Sequence, residues 1–176
     1  MAIEPSKPAR RLAALRLEPF DPAYAELVAS WVRDEHEAYW LAPKTTPPIT
    51  ADRVRAWKVP GHHPLQLVER RGGQPLAYGE INVLNRVRGR LWLGHLIIDP
   101  SRRGRGIGHT LTRLLLERAF LRHGANRVSL VVFPENEPAI RCYQAAGMCE
   151  TGYEQHELPA YGQRVSLLRL TITRGP

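Results

Sequence analysis

A strand-like apolar run, Leu91–Ile98, stops at Asp99-Pro100 and is followed by Ser101-Arg102-Arg103-Gly104-Arg105-Gly106-Ile107-Gly108 and a long helical pattern. Ile107, Leu111, Leu114, Leu115 and Ala119 share one face of a helix from Gly108 to about His123, and Gly124 stands where a C-cap belongs. A strand, a tight turn and an amphipathic helix in immediate succession call for a helix folded back onto a sheet, which confines the chain to mixed α/β architectures. The turn has chemical content as well. Glycines permit positive φ and lack Cβ, so successive N–H groups can converge on an anion. The helix N-terminus behind them adds unpaired donors and roughly half a positive charge. Arg103 and Arg105 bring further charge, a combination suited to a pyrophosphate. A turn that merely joins strand to helix explains the same residues without a ligand. No Lys follows the glycines, so a Walker A loop is excluded. The dinucleotide fingerprint belongs in the first βα turn, whereas these glycines come after several strands.

The remaining pattern supplies the frame. Leu12–Leu17 suits a first strand, and Asp21-Pro22 starts a helix with stripe Leu27, Val28, Trp31 and Val32. Three prolines keep Ala42–Thr50 irregular, and Thr50 caps a short helix through Trp57. Leu65–Glu69 and Leu76–Leu84 flank a Gly72-Gly73 turn, and Leu91–Ile98 follows the Gly89 turn. Val128–Phe133 is an apolar, β-branched strand, Pro138–Ala146 a short helix closed by Gly147, and Glu150–His156 and Arg164–Thr173 are the last strands. The expected order is β-α-α-β-β-β-α-β-α-β-β. Residues 1–11 read as a flexible, Pro- and charge-rich tail, and 12–173 as one domain, since cores divide only well above 176 residues.

Composition narrows the class. Hydrophobic residues at 43% and charged residues at 24% are globular values and exclude disorder, collagen and coiled coil. No apolar run reaches the roughly 20 residues a membrane helix needs, and Met1 to Arg11 has no apolar core of a secretory signal. A cytoplasmic protein without a membrane partner is expected. Twenty-five Lys and Arg against 17 Asp and Glu give a net charge of +8, which favours an anionic partner. Nucleic acid would call for aromatics among the arginines, and Arg102–Arg105 has glycines there, so none is expected. Cys142 and Cys149 form no CxxC and have no paired histidines nearby, so neither a metal site nor a disulfide framework is expected.

A second constellation begins where the next strand ends: Asn136-Glu137-Pro138-Ala139-Ile140-Arg141-Cys142-Tyr143-Gln144-Ala145-Ala146-Gly147. Ala139, Cys142, Tyr143 and Ala146 fall on one helical face directed into the protein. Taken with the first, it resembles the GNAT superfamily of N-acetyltransferases. That family's pattern is [RQ]-x-x-G-x-[GA] after a strand and N-x-x-A-x-x-x-Y-x-x-x-G at the next strand–helix junction. These read here as Arg103-x-x-Gly106-x-Gly108 and Asn136-x-x-Ala139-x-x-x-Tyr143-x-x-x-Gly147.

The resemblance covers about residues 12–173 and implies a single-domain, mostly antiparallel mixed sheet with flanking helices. It implies acetyl-CoA as acetyl donor and co-substrate, with a primary amine of a small molecule or protein as acyl acceptor attacking directly in a ternary complex. Backbone amides of Arg103, Gly104, Arg105, Gly106, Ile107 and Gly108 would hold the pyrophosphate, and Leu96, Ile97 and Ile98 would pair with the pantetheine. Asn136 and Ala139 would line its arm, with Tyr143 near the thioester sulfur as cofactor contact and catalytic acid. The chemistry agrees, because a phenol of pKa near 10 is protonated at neutral pH and can donate to a departing thiolate.

The base is open. Several family members carry a Glu on the strand before the glycine loop, where this chain has Trp92, Gly94 and His95. Glu80 on the neighbouring strand is the expected catalytic base, His95 its rival, and water a third route. Glu80 in that role requires burial to raise its pKa. The acyl-acceptor pocket of the family is built from the first two helices and last hairpin, which hold Asp34, Glu35, Glu37, Tyr39, Trp40, Glu154, His156, Glu157 and Tyr161. Acids with aromatics suit a cationic amine. A CoA-binding sensor without catalysis is the alternative reading, and a homodimer is one option for the assembly.

Overall fold

The computed structural model describes residues 14–175. The expected tail 1–11 and the start of the expected first strand at Leu12 lie outside these residues. The strands are β1 (Leu15–Pro19), β2 (His62–Glu69), β3 (Ala77–Asn85), β4 (Arg90–Ile98), β5 (Arg127–Val132), β6 (Cys149–Leu158) and β7 (Gln163–Thr173). The helices are α1 (Ala25–Ser30), α2 (Glu35–Leu41), α3 (Ala51–Ala56), α4 (Ile107–Arg122) and α5 (Glu137–Ala145). Single 3₁₀ turns precede α1, follow β4 and join β6 to β7.

The sheet runs β1-β2-β3-β4-β5-β7-β6, antiparallel throughout except for the parallel pair β4–β5. Helices α4 and α5 cover one face, where Leu111, Leu115 and Ala119 are fully buried. Gly79 in β3 permits that packing, since a Cβ there would lie 2.9 Å from Leu115 Cδ1. Helices α1 to α3 cover the other face, closing Val28, Trp31, Val54 and Trp57 over Tyr78 and Ile97.

The expected order lacked α2. Asp34 caps it by accepting from the Glu37 N–H at 2.8 Å, but Ala38 is its sole buried residue, so it carries almost no apolar stripe. The caps at Asp21 and Thr50 form as expected, each accepting a backbone N–H of its helix.

Two irregularities in β4 shape the site. Strands β4 and β5 pair only from Arg90–Trp92 with Arg127–Ser129, so Leu93–Ile98 runs on without a partner on that side. Against β3, Tyr78 faces Ile97 but Glu80 faces Gly94, so His95 and Leu96 bulge opposite Gly79. The bulge forces His95 to φ 49°, and no other non-glycine described residue has positive φ.

Candidate active site

The unpaired end of β4 leads into the glycine turn. Gly104 (φ 72°) and Gly106 (φ 78°) take the left-handed conformation, and the amides from Gly104 through His109 find no acceptor among the described residues. An open row of N–H donors at a helix N-terminus is what an anionic group needs. Gly108 has a different reason for being glycine: a Cβ there would meet Cys142 Sγ at 3.3 Å, so it lets α5 close on α4.

The side chain of Arg103 is not turned to that nest. It donates to Glu37 Oε1 at 2.6 Å, to the Trp31 carbonyl at 3.2 Å and to the Ile98 carbonyl at 3.2 Å, while its own N–H closes a turn onto Pro100. The expectation that its charge faces a pyrophosphate is corrected accordingly: a partly buried carboxylate across the fold claims it. Arg105 is exposed and has no carboxylate partner among the described residues. Burial pushes the Glu37 carboxyl up, but the bonds from Arg103 and Arg33 outweigh it and hold the group at about 2. A depressed folded pKa contributes stability that is complete above the ordinary value of 4.5 and is lost as pH falls toward about 2. Glu37→Gln is therefore expected to flatten the fall in melting temperature across that window. A wild-type-like slope in the variant would show that the pair adds nothing.

Of the other expected cofactor residues, Leu96 and Ile98 pack toward α4, whereas Ile97 is buried toward α1–α3 and Ile107 lies in the core. Asn136 caps α5, accepting from the Ala139 N–H at 3.4 Å, and Ala139 and Tyr143 pack against the α4 side of the core. The close approach of Cys142 to Gly108 and Thr112 sets the Tyr143 turn of α5 beside the first turns of α4. The Tyr143 hydroxyl has no hydrogen-bond partner among the described residues, and burial, with Cys142 adding to it, raises its pKa. It stays a protonated donor. Burial also raises the Cys142 thiol.

Glu80 is fully buried. It accepts from Tyr78 Oη at 2.8 Å and Asn82 Nδ2 at 3.2 Å, His95 Nδ1 lies 2.9 Å from Oε1, and His62 Nδ1 is 3.6 Å away. Trp57 stacks on the His95 ring at 4.1 Å with the planes 8° apart. Gly94, across from Glu80, leaves room for the cluster, since a Cβ would come within 3.0 Å of Asn82 Nδ2. Burial alone would push Glu80 up, yet the bonds from His95, Tyr78 and Asn82 win and its pKa is lowered. The expected rise in the Glu80 pKa is corrected by this balance. A carboxylate at Nδ1 leaves Nε2 as the free ring nitrogen. Tyr78, Glu80 and Asn82 alternate on one strand face, a pattern readable in the sequence but passed over. The Trp57 stack had no sequence signal.

The expected acyl-acceptor wall is less acidic than its composition. Glu37 is held by Arg103 and Arg33, Glu154 by Arg169 and His156, and Glu157 by Arg164 at 2.6 Å. Asp34 is spent as a cap. Glu35, near Tyr161, has no ion-pair partner among the described residues. The aromatics do gather: Tyr39 lies 4.5 Å from Phe133 and 4.8 Å from Tyr161, and Trp40 packs on His36 at 4.2 Å. Among the described residues no cluster of three or more His, Cys, Asp or Glu could hold a metal, and no helix is long and apolar enough to cross a membrane.

Comparison with known proteins matches residues 15–148 to the acetyltransferase (GNAT) family. A curated relative, the spermine/spermidine N(1)-acetyltransferase of Bacillus subtilis (strain 168), is 32% identical over 82 residues, 47% of this chain and 51% of its own. The chain thus matches about half the length of that relative. The spermidine N-acetyltransferase of Vibrio cholerae, solved with CoA and spermine, superposes with TM-score 0.76 at 17% identity, covering 92% of this chain and 96% of the other. An aminoglycoside acetyltransferase solved with coenzyme A gives TM-score 0.70 at 21% identity, covering 91% and 95%.

Proposed function

This chain belongs to the acetyltransferase (GNAT) family, and from that premise we propose that it moves the acetyl group of acetyl-CoA to a primary amine by direct attack, both substrates being bound together. The observation that carries the reading is the row of unpaired amides from Gly104 to His109 at the foot of the splayed β4 edge, with the unpartnered Tyr143 hydroxyl on the adjoining helix. When bound, acetyl-CoA supplies an activated thioester.

The chain's own residues divide the remaining work. The amides of the glycine turn hold the pyrophosphate, and the unpaired β4 edge at Leu96–Ile98 hydrogen-bonds the pantetheine amides. Asn136 and Ala139 shape the α5 wall. Tyr143 donates its proton to the departing sulfur, stabilising charge that grows only in the transition state. His95 accepts the amine proton at Nε2, and Glu80 is its positioning residue, ionised and holding Nδ1. Arg103 ties the glycine turn to α2 and so holds the cofactor loop against the acyl-acceptor wall. The aromatic cluster around Tyr39 and the carboxylate of Glu35 suit a small cationic amine. The acetyltransferases of polyamines and aminoglycosides named above bear on the same choice.

Release of free thiol from acetyl-CoA across polyamines, aminoglycosides and lysine peptides tests this. Turnover with a small polycation is expected. Binding of acetyl-CoA with no turnover on any amine would leave a CoA sensor instead.

Cofactor binding has its own measurement. Acetyl-CoA at a hundred times its dissociation constant adds about 2.7 kcal/mol, roughly 5–10 °C in melting temperature for a chain of this size. In Gly106→Val that rise is expected to shrink to near zero, because a β-branched residue resists the φ of 78° and the amide row loses its shape. An equal rise in both proteins would remove the glycine turn from the cofactor site.

A further inference from the structure

A second basic cluster lies at the opposite end of α4 from the glycine turn, roughly 24 Å along a 16-residue helix. There a cavity of about 150 Å³ is lined by His63, Val83, Arg86, Leu91, Arg122 and His123. The two imidazole rings lie 4.6 Å apart. His63 Nε2 is shielded from solvent and has no hydrogen-bond partner. No carboxylate lines the cavity, and neither Arg86 nor Arg122 has an acidic partner among the described residues.

This arrangement gathers like charge without an evident counter-charge. The C-terminus of α4 offers roughly half a negative charge, too little against two guanidiniums and two imidazoles. A divalent metal would suit paired histidines but not the flanking arginines, which repel a cation. An oxyanion suits all four groups: guanidiniums pair with its oxygens in fork geometry, and protonated imidazoles donate. We propose that this cavity is a binding site for a small oxyanion of the phosphate class, separate from the candidate active site.

The surroundings give the site a pH dependence. Burial, then Arg86 and His62, lower the pKa of His63. Burial, then His63, Arg118 and Arg86, lower that of His123. With Arg122 also on the wall, every charged or titratable group facing the pair is basic. A bound oxyanion reverses that field, so anion binding and protonation of the histidines favour one another.

The test is inorganic phosphate added to the full chain, with sodium chloride at matched ionic strength as the control. Phosphate is expected to raise the melting temperature and to move the histidine NMR titrations of His63 and His123 to higher pH. Arg86→Ala and Arg122→Ala replace exposed side chains, so the fold persists. Each is expected to weaken phosphate on the order of tenfold or more and to leave acetyl-CoA stabilisation unchanged. A phosphate effect that persists in both variants places the anion elsewhere, the glycine turn included, and overturns the proposal. So does an effect no larger than that of chloride, or stabilisation by zinc alone.

Discussion

Tyr143→Phe is expected to retain acetyl-CoA affinity and to lose turnover by a factor on the order of 10²–10⁴, the usual cost of removing a general acid. The ring packs against the α4 side of the core, and Phe preserves that packing. What disappears is one hydroxyl that no described residue holds and that burial keeps protonated. Because the effect lies in kcat with little change in cofactor binding, it separates a chemical role from a structural one. Wild-type turnover in the variant would make Tyr143 a packing residue, or show that thiolate departure is not limiting.

His95→Gln is expected to cost a similar factor at neutral pH and to erase the ascending limb of the rate–pH profile. That limb cannot be the titration of Glu80, whose pKa is lowered by the bonds that overcome its burial, so it stays ionised across the neutral range. Glu80→Gln removes the negative charge 2.9 Å from Nδ1. Its rate is expected to fall less than that of His95→Gln, with the loss in kcat rather than in KM for the amine. If Glu80 merely supported β3, the variant would lose melting temperature in step with rate. If His95→Gln keeps both rate and profile, the amine sheds its proton to solvent, and Tyr143 with bound geometry carries the catalysis.

The glycine turn, the capped helices and the two motifs were legible because they are local. Asp21, Thr50 and Asn136 act on N–H groups two or three residues away, and left-handed backbone at Gly104 and Gly106 needs no distant partner. Helix α2 was missed for the converse reason: with little more than Ala38 to bury, it depends on the Asp34 cap and on Arg103 arriving from 66 residues away. The sequence places Gly108 in an anion cradle, whereas the lack of room for a Cβ beside Cys142 Sγ follows only from α4 and α5 lying together.

The sequence by itself determined the order of most elements, the family likeness, and Tyr143 and the glycine turn as candidates, since periodicity and motif spacing act over a few residues. Tertiary structure alone decided what the charges do. The bulge in β4 turns His95 toward Glu80, 15 residues back on the neighbouring strand, and Trp57 arrives from α3 to stack on it. Hydrogen bonds from His95, Tyr78 and Asn82 lower the pKa of that one buried carboxylate against the push of its burial. Arg103 is likewise neutralised by Glu37, 66 residues away, and the acids Glu154 and Glu157 by arginines across the last hairpin. The reason is physical: a charge takes its pKa and its availability from neighbours within a few ångströms, and those neighbours are chosen by strand register and packing.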